Sequence, residues 1–271
     1  MASSTTPSAE RRTALVTGAA RGIGRGIALK LAEDGFNVAI NDIPSMADTA
    51  SNTLEEIKKV TESKGARASL HLADVSSESQ VIEMIEGVVK AHGSLDVMVA
   101  NAGIVQWNTL VDTPMELADK IISVNIRGVI LCYKYAAKQM ISQGRGGRII
   151  GASSCAGKQG YALLPVYSAS KFAVRGLTQA TAREVGPHKI TVNAYAPGCI
   201  ETDMIEYLED RHVEMGNGTH GDLKSASSSL SSLKYNGTPT EIASLVGYLA
   251  SPGAHFITGQ TIICDGGTIF D

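Results

Sequence analysis

A tyrosine and a lysine stand four apart in Tyr167-Ser168-Ala169-Ser170-Lys171, ahead of an apolar pattern of helical period. On a helix that spacing puts both side chains on one face, about one turn apart. A phenol has a pKa near 10, too high for proton exchange at neutral pH. A nearby ammonium stabilises the phenolate and lowers that value. The pair is then a general acid/base for a carbonyl oxygen or an alcohol. Ser154 lies thirteen residues before Tyr167, where an apolar run breaks into loop, and its hydroxyl can aim at the same oxygen. Taken alone, Tyr-x-x-x-Lys is equally the polar face of an amphipathic helix, so the rest of the chain has to decide.

The elements that must hold these side chains are readable as alternating strands and helices. Thr13–Thr17 is a short apolar strand, and Gly18-Ala19-Ala20-Arg21-Gly22-Ile23-Gly24 follows it at once, then a helix through Leu31 that ends at Gly35. A glycine-rich turn between a first strand and a first helix fits a dinucleotide site: backbone can approach a pyrophosphate, and the helix start offers free N–H groups. The second strand is Phe36–Asn41, with Asp42 at its end, eighteen residues past Gly24. That is close to where an acidic residue accepts hydrogen bonds from a ribose. Helices are expected at 51–64, 77–92, about Pro114 to Gln143, 166–185 and 240–250. Further strands are expected at 67–72, Leu95–Ala100, Ile149–Ala152, Ile190–Tyr195 and Thr261–Cys264. This βαβα alternation with short loops predicts an α/β fold, one doubly wound Rossmann-type parallel sheet with helices on both faces.

Composition narrows the class. With 271 residues, 44% hydrophobic and 19% charged, the chain can form one domain with a substantial core. We expect a disordered tail over residues 1–10 and a single domain over 11–271. A formal charge of −3 without basic runs recommends neither nucleic acid nor an anionic membrane as partner. No apolar stretch reaches bilayer length, and the first residues resemble neither a secretory signal nor a transit peptide. Cys132, Cys155, Cys199 and Cys264 form no metal-ligand or C-x-x-C spacing, so no metal site is expected; reduced thiols in a cytoplasmic protein are. Residues 199–238 break the regular alternation, with a charged helical piece near Glu201–Glu214, three glycines and a serine-rich run at Ser225–Ser232. A segment this long after a strand's carboxyl end is read as a substrate lid.

Six motifs in order complete the pattern: Thr17-Gly18-x-x-x-Gly22-Ile23-Gly24, Asp74-Val75, Asn101-Ala102-Gly103, Asn125, Ser154 with Tyr167-x-x-x-Lys171, and Pro197-Gly198 with Thr202. Together they resemble the short-chain dehydrogenase/reductase family over nearly the whole chain, from about Arg12. The resemblance implies strand order 3-2-1-4-5-6-7, a nicotinamide cofactor and commonly a homotetramer. It implies that Tyr167 is the proton donor or acceptor. Lys171 would bind the nicotinamide ribose and lower the tyrosine's pKa, and Ser154 would polarise the carbonyl. Asn125 would hold a water that links Lys171 to solvent. Asn101, Ala102 and Gly103 would line the adenosine side, with Asp74 and Val75 near the adenine edge. Pro197, Gly198, Ile200 and Thr202 would hold the carboxamide.

Within the family, the stretches Gly146–Ile150, Val166–Gln179 and Asp265–Asp271 look most like acetoin/diacetyl reductases, also called butanediol dehydrogenases. Substrate is read by loops, here 104–108, 155–164 and 199–235. They supply Gln106, Trp107, Cys155, Gln159, Tyr161, Leu163 and Leu164 as candidates. A small diketone or hydroxyketone is expected. The alternatives are a 3-oxoacyl thioester, a polyol or sugar, an aryl ketone, or a non-catalytic nucleotide-binding regulator. For the cofactor, Asp42 favours NAD(H), while Arg21 could favour NADP(H); NAD(H) is the expectation.

Overall fold

The computed structural model describes residues 11–271, so the tail expected over 1–10 lies outside the described residues. The strands are β1 (Thr13–Thr17), β2 (Asn37–Asp42), β3 (Ala68–Leu72), β4 (Val97–Ala100), β5 (Gly147–Ala152), β6 (Ile190–Pro197) and β7 (Thr261–Cys264). They form one seven-stranded sheet in the order β3-β2-β1-β4-β5-β6-β7, and the strand pairings are parallel. The expected fold and strand order are therefore found. β4 begins at Val97, two residues later than expected. The N–H and C=O of Leu95 bond instead to the Gln143 side chain, at 2.9 Å each.

The helices are α1 (Gly22–Glu33), α2 (Ala47–Ser63), α3 (Glu78–His92), α4 (Met115–Ile122), α5 (Val129–Gln143), α6 (Pro165–Val185), α7 (Asp203–Glu214), α8 (Asp222–Leu230) and α9 (Pro239–Ala250). The strand side chains alternate between two cores, as a period of two dictates. Leu15, Met98 and Ile149 face one core, with Val88 of α3, Met140 of α5 and Val185 of α6. Val16, Val99 and Ile150 face the other, with Leu31 of α1, Ile57 of α2 and Val246 of α9. Covered on both faces, β1 is buried throughout, and an uninterrupted apolar strand is the result.

Local chemistry explains the helix ends. Thr238 and Glu241 form a reciprocal capping box at the start of α9, with Pro239 in its first turn. α3 and α5 stop at Gly93 and Gly144, both left-handed. The helical region expected from Pro114 to Gln143 is continuous but contains a π-helical turn, Ser123–Gly128, between α4 and α5.

Most of the serine-rich run is helical: Asp222–Leu230 is the helix α8. A carboxylate from the preceding helix explains it. Glu209 of α7 is fully buried and accepts the N–H groups of Gly221 (3.0 Å), Leu223 (3.4 Å) and Lys224 (2.7 Å). Burial alone would raise its pKa, but these three donors and the nearby His220 hold it below the ordinary value. A charge at the helix start satisfies donors that a serine-rich sequence leaves open.

Candidate active site

The motifs meet at the carboxyl edge of the sheet, where the order reverses between β1 and β4. Ligands bind in such a crevice in open α/β sheets. The turn after β1 is drawn tight. A Cβ on Gly24 would lie 2.2 Å from the Gly18 carbonyl oxygen and 2.5 Å from Asn101 Nδ2. Gly18 and Gly22 have φ of 62° and 57°, where a side chain is strained. The start of α1 has no side-chain cap and no acidic residue in its first turn. That leaves N–H groups and a partial positive charge for an anion, and the residues present fit a dinucleotide.

Asn101, just after β4, ties three strands together. Its Nδ2 donates to the carbonyls of Thr17 (2.8 Å) and Gly18 (3.0 Å), and its Oδ1 accepts from the Tyr195 hydroxyl of β6 (2.8 Å). Thr17 Oγ1 accepts from the N–H groups of Asn101 and Ala102. Asp42 accepts the N–H of Ala20 on one oxygen and that of Ile43 on the other, each at 2.9 Å. Asp74 accepts two bonds from Ser76, at 2.9 and 2.7 Å. Burial would raise its pKa; those bonds and Lys120 hold it below the usual range. Val75 is buried, 5% exposed, and packs in the core beneath. Arg21 pairs with a different carboxylate: its Nη1 lies 2.7 Å from Asp203 Oδ2, at the start of α7.

Ser154 follows β5 and accepts the N–H of Ala156 at 3.1 Å, and its hydroxyl is near enough to the Tyr167 phenol to lower that group's pKa. Tyr167 is in the first turn of α6, and Lys171 is one turn on, its Nζ 5.4 Å from the phenol ring centre. Lys171 is 4% exposed and donates to the Ala152 carbonyl at 2.9 Å. Burial lowers its pKa to about 8. Tyr167 moves the other way: burial raises its phenol above the ordinary value, Ser154 pulls it down and Cys155 pushes it up. The lowering expected from Lys171 is not among the influences on the phenol, and desolvation dominates.

Asn125 is fully buried in the π-helical turn. Its Oδ1 accepts from the N–H of Ile104, and its Nδ2 donates to the Ile104 carbonyl, both at 2.9 Å, and to Ser170 Oγ at 3.1 Å. Such a turn re-aims a side chain that a regular helix would carry elsewhere. Gly103 lies between it and the lysine. A Cβ there would lie 3.3 Å from Lys171 Nζ and 3.4 Å from Asn125 Oδ1.

On the other flank, the Tyr161 hydroxyl accepts from Gln159 Nε2 at 2.8 Å, and Cys155 lies close enough for the two groups to shift each other's pKa. Burial raises the Cys155 thiol, and burial with Cys155 raises the Tyr161 phenol to about 12. Leu163 has a left-handed backbone, φ 65°, and its carbonyl accepts the N–H of Asn108 at 2.7 Å. Leu164 precedes α6. The 104–108 loop meets α7 twice: the Tyr207 hydroxyl donates to Gln106 (2.8 Å), and Trp107 and His212 pack edge-on, ring centres 6.2 Å apart. Pro197 and Gly198 end β6, and a Cβ on Gly198 would be 2.6 Å from Asp265 Cβ. Thr202 Oγ1 donates to the Ile200 carbonyl at 3.2 Å, and its methyl faces Gly22.

The expected site residues therefore gather along one edge, with the Val75 side chain buried in the core beneath it and Arg21 paired with Asp203. Sequence reasoning assigned no part to Thr17, Ser170, Tyr195 or Asp265. The first two lie within quoted motifs. Tyr195 and Asp265 join the site only through the pairing of β6 with β5 and β7. Among the described residues, no group of three potential ligands could hold a metal ion.

A family model described as enoyl-(acyl carrier protein) reductase matches residues 18–268. A short-chain dehydrogenase/reductase of Armillaria gallica is 49% identical, covering 96% of this chain and 97% of its own. A diacetyl reductase, (S)-acetoin forming, of Staphylococcus epidermidis is 38% identical over 96% and 99%. A 3-oxoacyl-acyl-carrier-protein reductase of the same species is 43% identical over 94% and 98%. The crystal structure of a short-chain dehydrogenase from Burkholderia cenocepacia in complex with NADP superposes with a TM-score of 0.83. It is 36% identical over 96% of this chain and 98% of that one.

Proposed function

Because the chain belongs to the short-chain dehydrogenase/reductase family and is an oxidoreductase of CH–OH groups, we propose that it interconverts a small ketone and its secondary alcohol, with diacetyl or acetoin as substrate. The observation that carries this reading is the Tyr167 phenol with the Lys171 ammonium 5.4 Å from its ring centre, Ser154 close enough to act on the phenol, and Asn125 behind Gly103. A nicotinamide dinucleotide, when bound, supplies or accepts the hydride. Gly18, Gly22, Ile23 and Gly24 would hold its pyrophosphate, and Asp42 its adenosine ribose. Asp74, Val75 and Asn101 to Gly103 would hold the adenine side, and Pro197, Gly198, Ile200 and Thr202 the carboxamide.

The chain's own residues then manage the proton. Burial keeps Tyr167 protonated at neutral pH, so it can donate to an oxygen that gains negative charge. The Ser154 hydroxyl donates a second hydrogen bond to that oxygen. Lys171, with a pKa of about 8, is mostly cationic at pH 7 and stabilises the phenolate left behind. Asn125 holds the relay through which the proton is replaced.

NAD(H) is the proposed cofactor. The Asp42 carboxylate is fixed by two backbone N–H groups and repels a 2′-phosphate, while Arg21 is engaged by Asp203. NADP(H) is the alternative, represented by the Burkholderia protein. A 3-oxoacyl thioester is the second substrate reading, favoured by the 43% identical reductase. Cofactor oxidation with NADH and NADPH over diacetyl, acetoin, an acetoacetyl thioester and aryl ketones tests all of this. Faster thioester than diacetyl reduction would reverse the substrate ranking; no turnover on any ketone would leave only a nucleotide binder.

We further propose that residues 11–271 act as one domain and that α7 and α8 form the lid. Cofactor and substrate analogue together should protect 199–235 from proteolysis. Equal cleavage with and without ligands would reduce α7–α8 to a surface insertion. The apolar strip made by Ile130 of α5 and Phe172 and Leu177 of α6 supports a homo-oligomer, with a tetramer as the expected state. The free cysteines support a reducing, cytoplasmic setting.

A further inference from the structure

Residues 265–271 touch Gly198, the end of α8, the 155–164 loop and α6. Asp265 packs against Gly198 and lies within the electrostatic reach of Cys155 and Tyr161. Its two oxygens accept the N–H groups of Gly267 and Ile269, both at 2.9 Å, and so fold the segment back on itself. The carbonyls of Gly266 and Gly267 accept from Ser231 Oγ (3.0 Å) and Ser232 Oγ (2.8 Å), where α8 ends. The Asp271 carboxylate hydrogen-bonds Lys158 and lies 3.8 Å from Arg175. Lys158 belongs to the substrate loop, directly before Gln159. Arg175 is on α6, one turn after Lys171.

The Lys158 side chain is only 5% exposed, whereas Asp271 is 49% exposed. A covered ammonium needs a partner, because an unpaired one is costly; an exposed carboxylate has no such need. Asp271 is thus placed for the lysine, and its pKa lies below the ordinary value chiefly through that bond.

We propose that residues 265–271 form a strap along one wall of the substrate site, and that the Lys158–Asp271 pair holds it closed, making Asp271 a residue that restricts the site to short ketones. The inference rests on the proposed ketone reductase reading. Releasing the pair frees the strap from the 155–164 loop, and longer acyl chains gain room beside Cys155 and Tyr161. The cofactor edge, on the other side of Gly198, keeps its contacts.

The test is kcat/KM for 2,3-butanedione and 2,3-heptanedione in wild type, Asp271→Asn, Asp271→Glu, Lys158→Met and the Lys158→Met/Asp271→Asn double variant. The expected result is a heptanedione-to-butanedione ratio at least about fivefold higher in both neutral single variants. The double variant should show no further increase, since one interaction is removed in each case. Asp271→Glu should keep the wild-type ratio, and KM for the cofactor should stay within about twofold throughout. An unchanged ratio, including one with uniform loss of activity or a lowered melting temperature, overturns the proposal, because a purely structural contact does not sort chain lengths. Additive effects in the double variant also overturn it. If wild type reduces no diketone, the substrate reading fails; the same ratio is then measured on whichever short and long ketones it reduces.

Discussion

The glycine-turn side of the binding edge and the substrate side differ in how far they rest on pairs of side chains. Around the turn, side chains grip backbone: Asn101 on the carbonyls of Thr17 and Gly18, Asp42 on the N–H groups of Ala20 and Ile43, Thr17 on those of Asn101 and Ala102. Across the site, pairs of side chains are added to such grips: Tyr207 with Gln106, Trp107 with His212, Lys158 with Asp271. A backbone partner is present whatever residue stands there. A side-chain partner is lost with one substitution. A frame built the first way can keep one cofactor while loops built the second way change the substrate. An exposed pair such as Arg21 with Asp203 contributes little to stability, about 0–1 kcal/mol, and can be exchanged at small cost, whereas the covered Lys158 holds its partner more firmly.

The largest effect tests the line between the two sides. Tyr167→Phe should lower turnover by about 10²–10⁴-fold and leave cofactor affinity within about twofold, since the phenol acts on the substrate oxygen. Retention of more than about a tenth of the wild-type rate, with chemistry limiting, would remove Tyr167 from the acid's role. Gly24→Ala challenges the backbone-built frame directly, because its Cβ would meet the Gly18 carbonyl oxygen at 2.2 Å. Overpacking of this kind costs about 1–3 kcal/mol, or roughly ten- to hundredfold in cofactor affinity. Calorimetric titration with NADH should show that loss; unaltered affinity would mean that the turn yields without consequence.

Asp42→Ser comes next. The preference for NADH over NADPH, taken as a ratio of kcat/KM, should fall by roughly ten- to hundredfold, the loss of a screened charge repulsion. A wild-type preference for NADPH would show that Arg21 leaves Asp203 for the cofactor.

The smallest effect concerns stability. Burial holds Lys171 at a pKa of about 8, below the ordinary lysine value of 10.5. Below about pH 8 both folded and unfolded chains carry the proton, and the full penalty of the buried cation is present. Between about 8 and 10.5 the unfolded chain binds more protons, so this group's contribution to stability rises with pH. Lys171→Met should therefore be inactive yet more stable at pH 7, by about 1–3 kcal/mol, with the advantage shrinking toward pH 10. Urea titrations at pH 7 and pH 9.5 measure it; a Met variant less stable at pH 7 would mean that the bond to the Ala152 carbonyl outweighs desolvation.

Much of this was legible in the chain. The apolar runs of β1, β4 and β6 and the glycine spacing after Thr17 sufficed for a doubly wound parallel sheet, because strands covered on both faces and a turn that admits no Cβ demand those residue types. The Tyr167–Lys171 spacing placed both on one face of a helix, since 3.6 residues per turn leaves little choice.

Other features depended on contacts between distant segments. The serine run became α8 because Glu209, thirteen residues before Asp222, is buried at its start. Asn125 faces Gly103 because a π-helical turn re-aims it. Lys171 lowers its own pKa, and Tyr167 raises its own, because desolvation depends on what surrounds a group in space. Arg21 and Asp42, both near the glycine turn in sequence, part company because α7 returns to present Asp203. Local residue order determined the strands, the glycine turn and most helices; folding decided α8, which charges meet and which are dry, because these depend on chain neighbours that sequence separation does not reveal.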